Sequence, residues 1–287
     1  MSEDDICCDE DAFWQLALMS NLSEIQILEG EYKDLDEEIG RSTYRLNNYV
    51  TLSLTSTPIS SINTAVGSNI WHASSVLAEL PIMISKHATI LELGSGAVGL
   101  GGMGLATRMN AGDVVLLSDT YCDGILDCLK ANVTYNQSSF ACRVEAIELD
   151  WSRKELPLDV PRLDLVVGSE VVYTHETSRL MANVVSLLLQ HSRNAHVLLL
   201  QVMDRPGWSD FVLETSASYN VSILQPLPPE WHEAGMKLLG AQIGSGTLAR
   251  LEYGLCWIRN VDNESDCGLM LEADSLWNDN TYRAENG

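Results

Sequence analysis

No stretch of this chain holds the roughly 20 consecutive apolar residues that a membrane span requires. Its longest apolar runs, LDLVVG and HVLLLQVM, are strand-length, so no membrane partner is expected. The amino terminus, MSEDDICCDE, lacks the basic-then-apolar order of a secretory leader. The seven cysteines include no C-x-x-C pair and join no Cys/His cluster, and the six histidines form no H-E-x-x-H. No metal site is therefore expected. Scattered cysteines in odd number read as reduced thiols of an intracellular protein, with the cytoplasm as the expected compartment and the nucleus as a second. Basic residues are scarce: 17 Lys and Arg stand against 40 Asp and Glu, a net charge of −23. So acidic a chain repels phosphate backbones, which disfavours a nucleic-acid substrate. It would attract a basic partner, although the same acids also serve solubility.

The acidity sits mostly at the two ends. Residues 1–40 carry 13 acids and one base, and residues 261–287 carry seven acids and one base. These are read as an acidic N-terminal extension, partly disordered or helical, and an acidic C-terminal tail around a domain at 41–260. Within that domain, residues 41–57 are rich in Thr, Tyr, Val and Leu and read as one or two strands. Residues 70–86 look helical as far as Pro81. Beyond them strands at 89–93, 113–119, 142–149, 163–170 and 195–203 alternate with helices at 97–110, 122–136, 175–191 and 207–218. Buried strands separated by helices predict an α/β fold with a doubly wound, mostly parallel sheet. Further strands are expected at 220–225 and 250–259, and the loop PLPPEWHEAGM, 226–236, reads equally as an insertion that helps recognise substrate or as a plain surface connection.

The stretch TILELGSGAVGLGG, 89–102, is an apolar strand that breaks into glycines. Without Cβ atoms a backbone turns sharply and approaches a ligand closely. Gly94, Gly96 and Gly99 match the dinucleotide pattern G-x-G-x-x-G, and Asp119 follows Gly99 by 20 residues, the spacing of a carboxylate that holds ribose hydroxyls. NAD and S-adenosylmethionine (SAM) both present a ribose. Glu92 separates them, because a carboxylate beside the glycines would repel a pyrophosphate, whereas SAM has a sulfonium cation and no phosphate. Glu92, Asp119, Asp150 and Glu170 all fall at or near the ends of successive predicted strands, where open α/β sheets bind ligands.

The segments ILELGSG, VVLLSDT, ELDW and LDLVVGSEVVYTHET, with NIWHASSVLAEL upstream, resemble the class I, seven-β-strand SAM-dependent methyltransferases. More narrowly, they are similar to the lysine-methyltransferase-like family that includes calmodulin- and chaperone-lysine methyltransferases. The resemblance covers about 66–258. It implies a Rossmann-like seven-stranded sheet with an antiparallel last strand. It also implies that Gly94, Ser95 and Gly96 lie under the methionine part of SAM with Glu92 in support, and that Asp119 binds the ribose. Asp150 and Trp151 would stand beside the adenine, Gly168 and Ser169 would line the strand end, and Trp71 would close the pocket. Glu170 and Tyr173 would face the substrate as catalytic residues. Val98 stands where the family commonly has a third glycine, which implies an altered loop.

The activity implied is methyl transfer from SAM to a lysine of a protein substrate by a monomer. Glu170 would orient the ammonium or help its proton leave, and Tyr173 would hydrogen-bond the amine. The alternatives are a methyltransferase with another acceptor, an inactive methyltransferase-like binding protein and, least favoured, an NAD-dependent oxidoreductase.

Overall fold

A computed structural model describes residues 41–55, 72–84, 87–121, 124–238, 253–262, 269–271 and 281–282. In chain order these form strands β1 (Arg41–Arg45) and β2 (Thr51–Thr55), helix α1 (His72–Glu79), β3 (Ile82–Ile84), β4 (Thr89–Leu93) and α2 (Leu100–Ala106). Then come β5 (Val114–Asp119), α3 (Ile125–Tyr135), β6 (Arg143–Glu148), β7 (Leu165–Ser169), α4 (His175–His191) and β8 (His196–Val202). The series ends with α5 (Trp208–Ser216), β9 (Tyr219–Leu224), α6 (Pro229–Leu238), β10 (Tyr253–Asn260), β11 (Leu269–Leu271) and β12 (Thr281–Tyr282).

The main sheet runs in the order β12-β9-β10-β8-β7-β4-β5-β6. Strands β4 to β8 pair in parallel, and β10 lies antiparallel between β8 and β9. This is the expected mostly parallel sheet of seven strands whose last strand is antiparallel. The two-residue β12 is added at the β9 edge, within the segment read as a tail. The proposed extension at 1–40 lies outside the described residues.

Parallel strands packed on both faces must be apolar on both, and β8, HVLLLQV, is buried at all seven positions. The period of two then sorts the core. Ile90, Val115, Leu117, Val167 and Leu198 join the layer under α1, α2 and α3. Leu91, Leu93, Leu116, Val166 and Leu199 join the layer under α4 and α5. Glu92 falls in the first row, two residues beyond Ile90, and is 1% exposed.

One expectation is corrected. The connection expected at 226–236 contains helix α6, with Trp231, Met236 and Leu238 buried. Its prolines read as loop, yet Pro229 opens the helix, where its missing N–H costs nothing. Gly235 lets α6 meet α1 closely: a Cβ there would stand 2.5 Å from the Val76 Cα. Beyond Pro81, where the expected helix stops, residues 82–84 form β3, which pairs antiparallel with β11.

Candidate functional site

Strands β4, β5 and β6 step one way along the sheet and β7 and β8 the other. The crevice beyond the carboxyl ends of β4 and β7 is therefore the topological switch point, the usual ligand position in such sheets. The register places Leu93 beside both Ser118 and Gly168. The residues that follow, Gly94, Asp119 and Ser169, gather on one rim with Asp150.

The glycine loop is built by backbone geometry. Gly94, Gly96 and Gly99 hold φ of +63°, +64° and +67°, a region that other residues adopt at a cost. The loop lies over the end of β5, where the Ser95 N–H donates to the Ser118 carbonyl at 3.0 Å. The Gly96 N–H donates to Asp119 Oδ2 and the Thr120 N–H to Asp119 Oδ1, both at 2.8 Å. Asp119 is thus oriented by one backbone donor per oxygen. Each oxygen keeps a further lone pair, as a carboxylate that also receives ribose hydroxyls requires. Burial pushes its pKa up, and the two amides pull it only partly back.

Glu92 points into the packed layer below this loop. Cβ atoms added at Gly101 and Gly102 would collide with its two carboxyl oxygens, so those glycines make its room. Burial, with a smaller push from nearby Asp119, raises its pKa to about 7 against the pull of the Ser95 hydroxyl and the Gly102 amide. Glu92 therefore supports the loop from beneath. Val98 is 3% exposed, in the core under α1 to α3, and is not among the residues with positive φ. Its branched side chain packs inward and does not disturb the left-handed glycines, contrary to the altered loop expected there.

Trp151, expected beside the adenine, lies against the start of the loop. A Cβ at Gly94 would stand 3.2 Å from two of its ring carbons and 3.1 Å from Val171. Asp150 is drawn into its own turn: Oδ1 accepts from the Ser152 N–H at 2.9 Å and hydroxyl at 2.7 Å, and Oδ2 lies 3.6 Å from Arg153. Burial opposes its charge, but the Ser152 hydrogen bonds and Arg153 outweigh it and hold the carboxyl below its usual range. Gly168, next to last in β7, faces Leu199 and Val171, and Ser169 ends the strand, half-buried. Trp71 lies outside the described residues.

Glu170 departs most from expectation. It was read as facing substrate, but its side chain is 7% exposed and committed inward. Its Oε1 accepts from the Val202 N–H at 2.6 Å and Gln201 Nε2 at 3.1 Å, and its Oε2 from Arg205 Nε at 2.8 Å. Its backbone sits at φ +53°. Burial raises its pKa, against the Arg205 charge and the Val202 amide. Gln201, fully buried, also binds both backbone groups of Val172. Glu170 and Gln201 together fix the turn that carries Tyr173. Tyr173 is half-buried and immediately precedes Thr174, the N-cap of α4, which forms a capping box with Thr177.

Arg205 and Gln201 were missed by sequence reasoning. A lone Gln in HVLLLQVM was a visible irregularity; nothing marked Arg205.

The donor chemistry fits SAM. The Trp151 indole nitrogen, buried at the loop, has no hydrogen-bond partner among the described residues, and the Ser95 hydroxyl has only the Glu92 carboxyl to turn to. Buried polar atoms are costly unless satisfied, and a ligand with amino-acid and ribose groups would satisfy them. Among the described residues no group of three or more His, Cys, Asp or Glu could hold a metal, and no helix is long and apolar enough to cross a membrane.

Residues 57–216 match a family model described as lysine methyltransferase. A segment of 110 residues is 28% identical to the calmodulin-lysine N-methyltransferase of Arabidopsis thaliana, covering 38% of this chain and 35% of that protein. The match thus spans about a third of the relative's length. Among solved structures, a predicted O-methyltransferase from Agrobacterium tumefaciens is 15% identical with a TM-score of 0.44, over 66% of this chain and 81% of that one. The N-terminal domain of human METTL16 in complex with SAH is 12% identical with a TM-score of 0.42, over 61% and 62%. At these values neither likeness bears on substrate or chemistry.

Proposed function

The chain belongs to the lysine methyltransferase family, which its sequence matches over more than half its length, and on that premise we propose that it methylates a lysine side chain of a protein. The co-substrate is S-adenosylmethionine. The observation that carries the reading is the glycine loop fastened to Asp119 by the Gly96 amide, with the buried Trp151 indole nitrogen beside it left for a ligand.

When bound, SAM supplies an electrophilic methyl group for in-line displacement. The chain's own residues hold and align. Asp119 receives the ribose hydroxyls on the lone pairs its two amides leave open. Gly94 and Gly96 let the backbone approach closely, and the Trp151 ring covers the loop and excludes water. A lysine acceptor must be neutral, while its free pKa is about 10.4. Tyr173, on a turn fixed by Glu170 and Gln201, shapes the acceptor side. Glu170 acts here as a positioning residue, because its oxygens are already bound to Val202, Gln201 and Arg205.

A basic segment suits the acceptor, given the net charge of −23. The test is transfer of labelled methyl from SAM into a cell extract, followed by hydrolysis. Label recovered in protein as ε-N-methyllysine supports the reading. Label confined to small molecules or nucleic acid, from a protein that binds SAM, defeats the lysine assignment.

A further inference from the structure

Strand β2 pairs with β1 along one edge. Along the other, Ser53 and Thr55 turn their peptide groups toward α3, where two asparagines stand in for a neighbouring strand. The Thr55 N–H donates to Asn132 Oδ1 and Asn132 Nδ2 donates to the Thr55 carbonyl, both at 2.8 Å. The Ser53 N–H donates to Asn136 Oδ1 and Asn136 Nδ2 donates to the Ser53 carbonyl, both at 2.9 Å. The match is geometric. Residues four apart on a helix are separated by about 6 Å along its axis, and residues two apart on a strand by about 6.7 Å. Asn132 is 1% exposed and Asn136 4%, so the hairpin docks through buried amides.

The two asparagines differ in their remaining hydrogen. Asn136 returns it to its own helix, at the Asn132 carbonyl, 2.8 Å away. Asn132 sends it to the Ala97 carbonyl at 3.0 Å. Ala97 lies in the glycine loop, next to Gly96, whose N–H is held by Asp119. One side chain thus fastens both the hairpin and the loop, while its neighbour one turn away fastens the hairpin without touching the loop.

We propose that Asn132 is a positioning residue that couples docking of the β1–β2 hairpin to the cofactor-binding shape of the glycine loop. The proposal rests on the reading that this loop holds SAM. If the hairpin leaves, Oδ1 and one hydrogen of Asn132 lose their partners. The amide then reorients, and the Ala97 carbonyl loses its donor. By linkage, a ligand that holds the loop in shape also holds the hairpin down.

The test uses the full chain, S-adenosylhomocysteine as probe, calorimetry, and hydrogen exchange at residues 51–55. In the wild type the probe is expected to slow exchange of the Ser53 and Thr55 amides. Asn132→Ala should weaken probe binding about tenfold and abolish that slowing. Asn136→Ala should speed exchange at Ser53 while leaving probe affinity within about twofold. Equal losses of affinity in both variants, or unchanged affinity in Asn132→Ala, would overturn the coupling. If Asn132→Ala does not fold, the wild-type exchange decides: no slowing at 51–55 on saturation with probe overturns it. A wild type that binds no probe overturns the cofactor reading, and the coupling with it, before any variant is made.

Discussion

The Arg205 guanidinium lies 2.8 Å from the Glu170 carboxylate, across a space in which neither side chain is more than 21% exposed. Glu170 stands on the first residue past β7, Arg205 three residues past β8, so the pair ties together the ends of two neighbouring strands. It also holds Glu170 at φ +53°, which costs a residue with a Cβ about 1–2 kcal/mol.

Arg205→Ala leaves that carboxylate buried without its cation. The expected loss of stability is about 3 kcal/mol, read by urea unfolding. Glu170→Gln in the same chain should recover part of it, because the uncompensated charge is gone. Additive losses in the double variant would show that the two side chains are not coupled. Glu170→Ala should also abolish methyl transfer while SAM still binds, since the turn bearing Tyr173 is released but the glycine loop is not. Full activity in that variant would remove Glu170 from the acceptor side.

Glu92→Gln probes a different buried acid. Burial pushes the folded Glu92 carboxyl up to about 7, above its usual value of 4.5. Its protonated form is the one the fold prefers. That contribution is complete below about pH 4.5 and is lost as pH rises through 7. Removing the charge should flatten stability between those pH values. At pH 8 the variant should be more stable than the wild type, by at most about 3 kcal/mol. Parallel stability–pH curves for the two proteins would mean that Glu92 does not titrate as its burial demands.

The parts of the site written in short segments were legible. The glycines, Glu92 and Asp119 lie within 28 residues of one another in a strand–loop–helix–strand unit, and the 20-residue spacing from Gly99 to Asp119 reflects one such unit. Glu170 was found, but its orientation was not, because Arg205 lies 35 residues away with no motif attached. The asparagine ladder was hidden for a similar reason: a helix at 122–136 was expected, but which of its faces meets 51–55 depends on tertiary packing. Helix α6 was missed because proline and glycine punctuate loops far more often than they open helices or permit close helix crossings.

Val98→Gly tests a position at which the family pattern fails. The Val98 side chain is buried among core residues, so shortening it removes apolar contact and adds backbone freedom. A loss of about 2 kcal/mol is expected, measured by thermal or urea unfolding, with SAM affinity unimproved. A gain in affinity with little loss of stability would show that the glycine belongs there for the ligand.

Asp119→Asn separates binding from folding at the centre of the site. The carboxylate gives one acceptor oxygen to Gly96 and one to Thr120. An amide of the same shape offers an oxygen to one of these N–H groups and an NH₂ to the other, so one donor goes unpaired. Against this, burial makes the charged form costly, as the raised pKa of Asp119 records, and the amide is spared that cost. The two effects oppose each other in the free protein, and the expected change in stability is within about 1 kcal/mol. They do not oppose each other toward SAM, whose ribose hydroxyls lose a charged acceptor with both lone-pair sites correctly aimed. Affinity should fall about 30-fold, the size of a lost charge-assisted hydrogen bond. Calorimetry and unfolding on the same sample decide it. Unchanged affinity would refute the ribose role, and an unfolding loss as large as the affinity loss would reduce Asp119 to a structural brace for the loop.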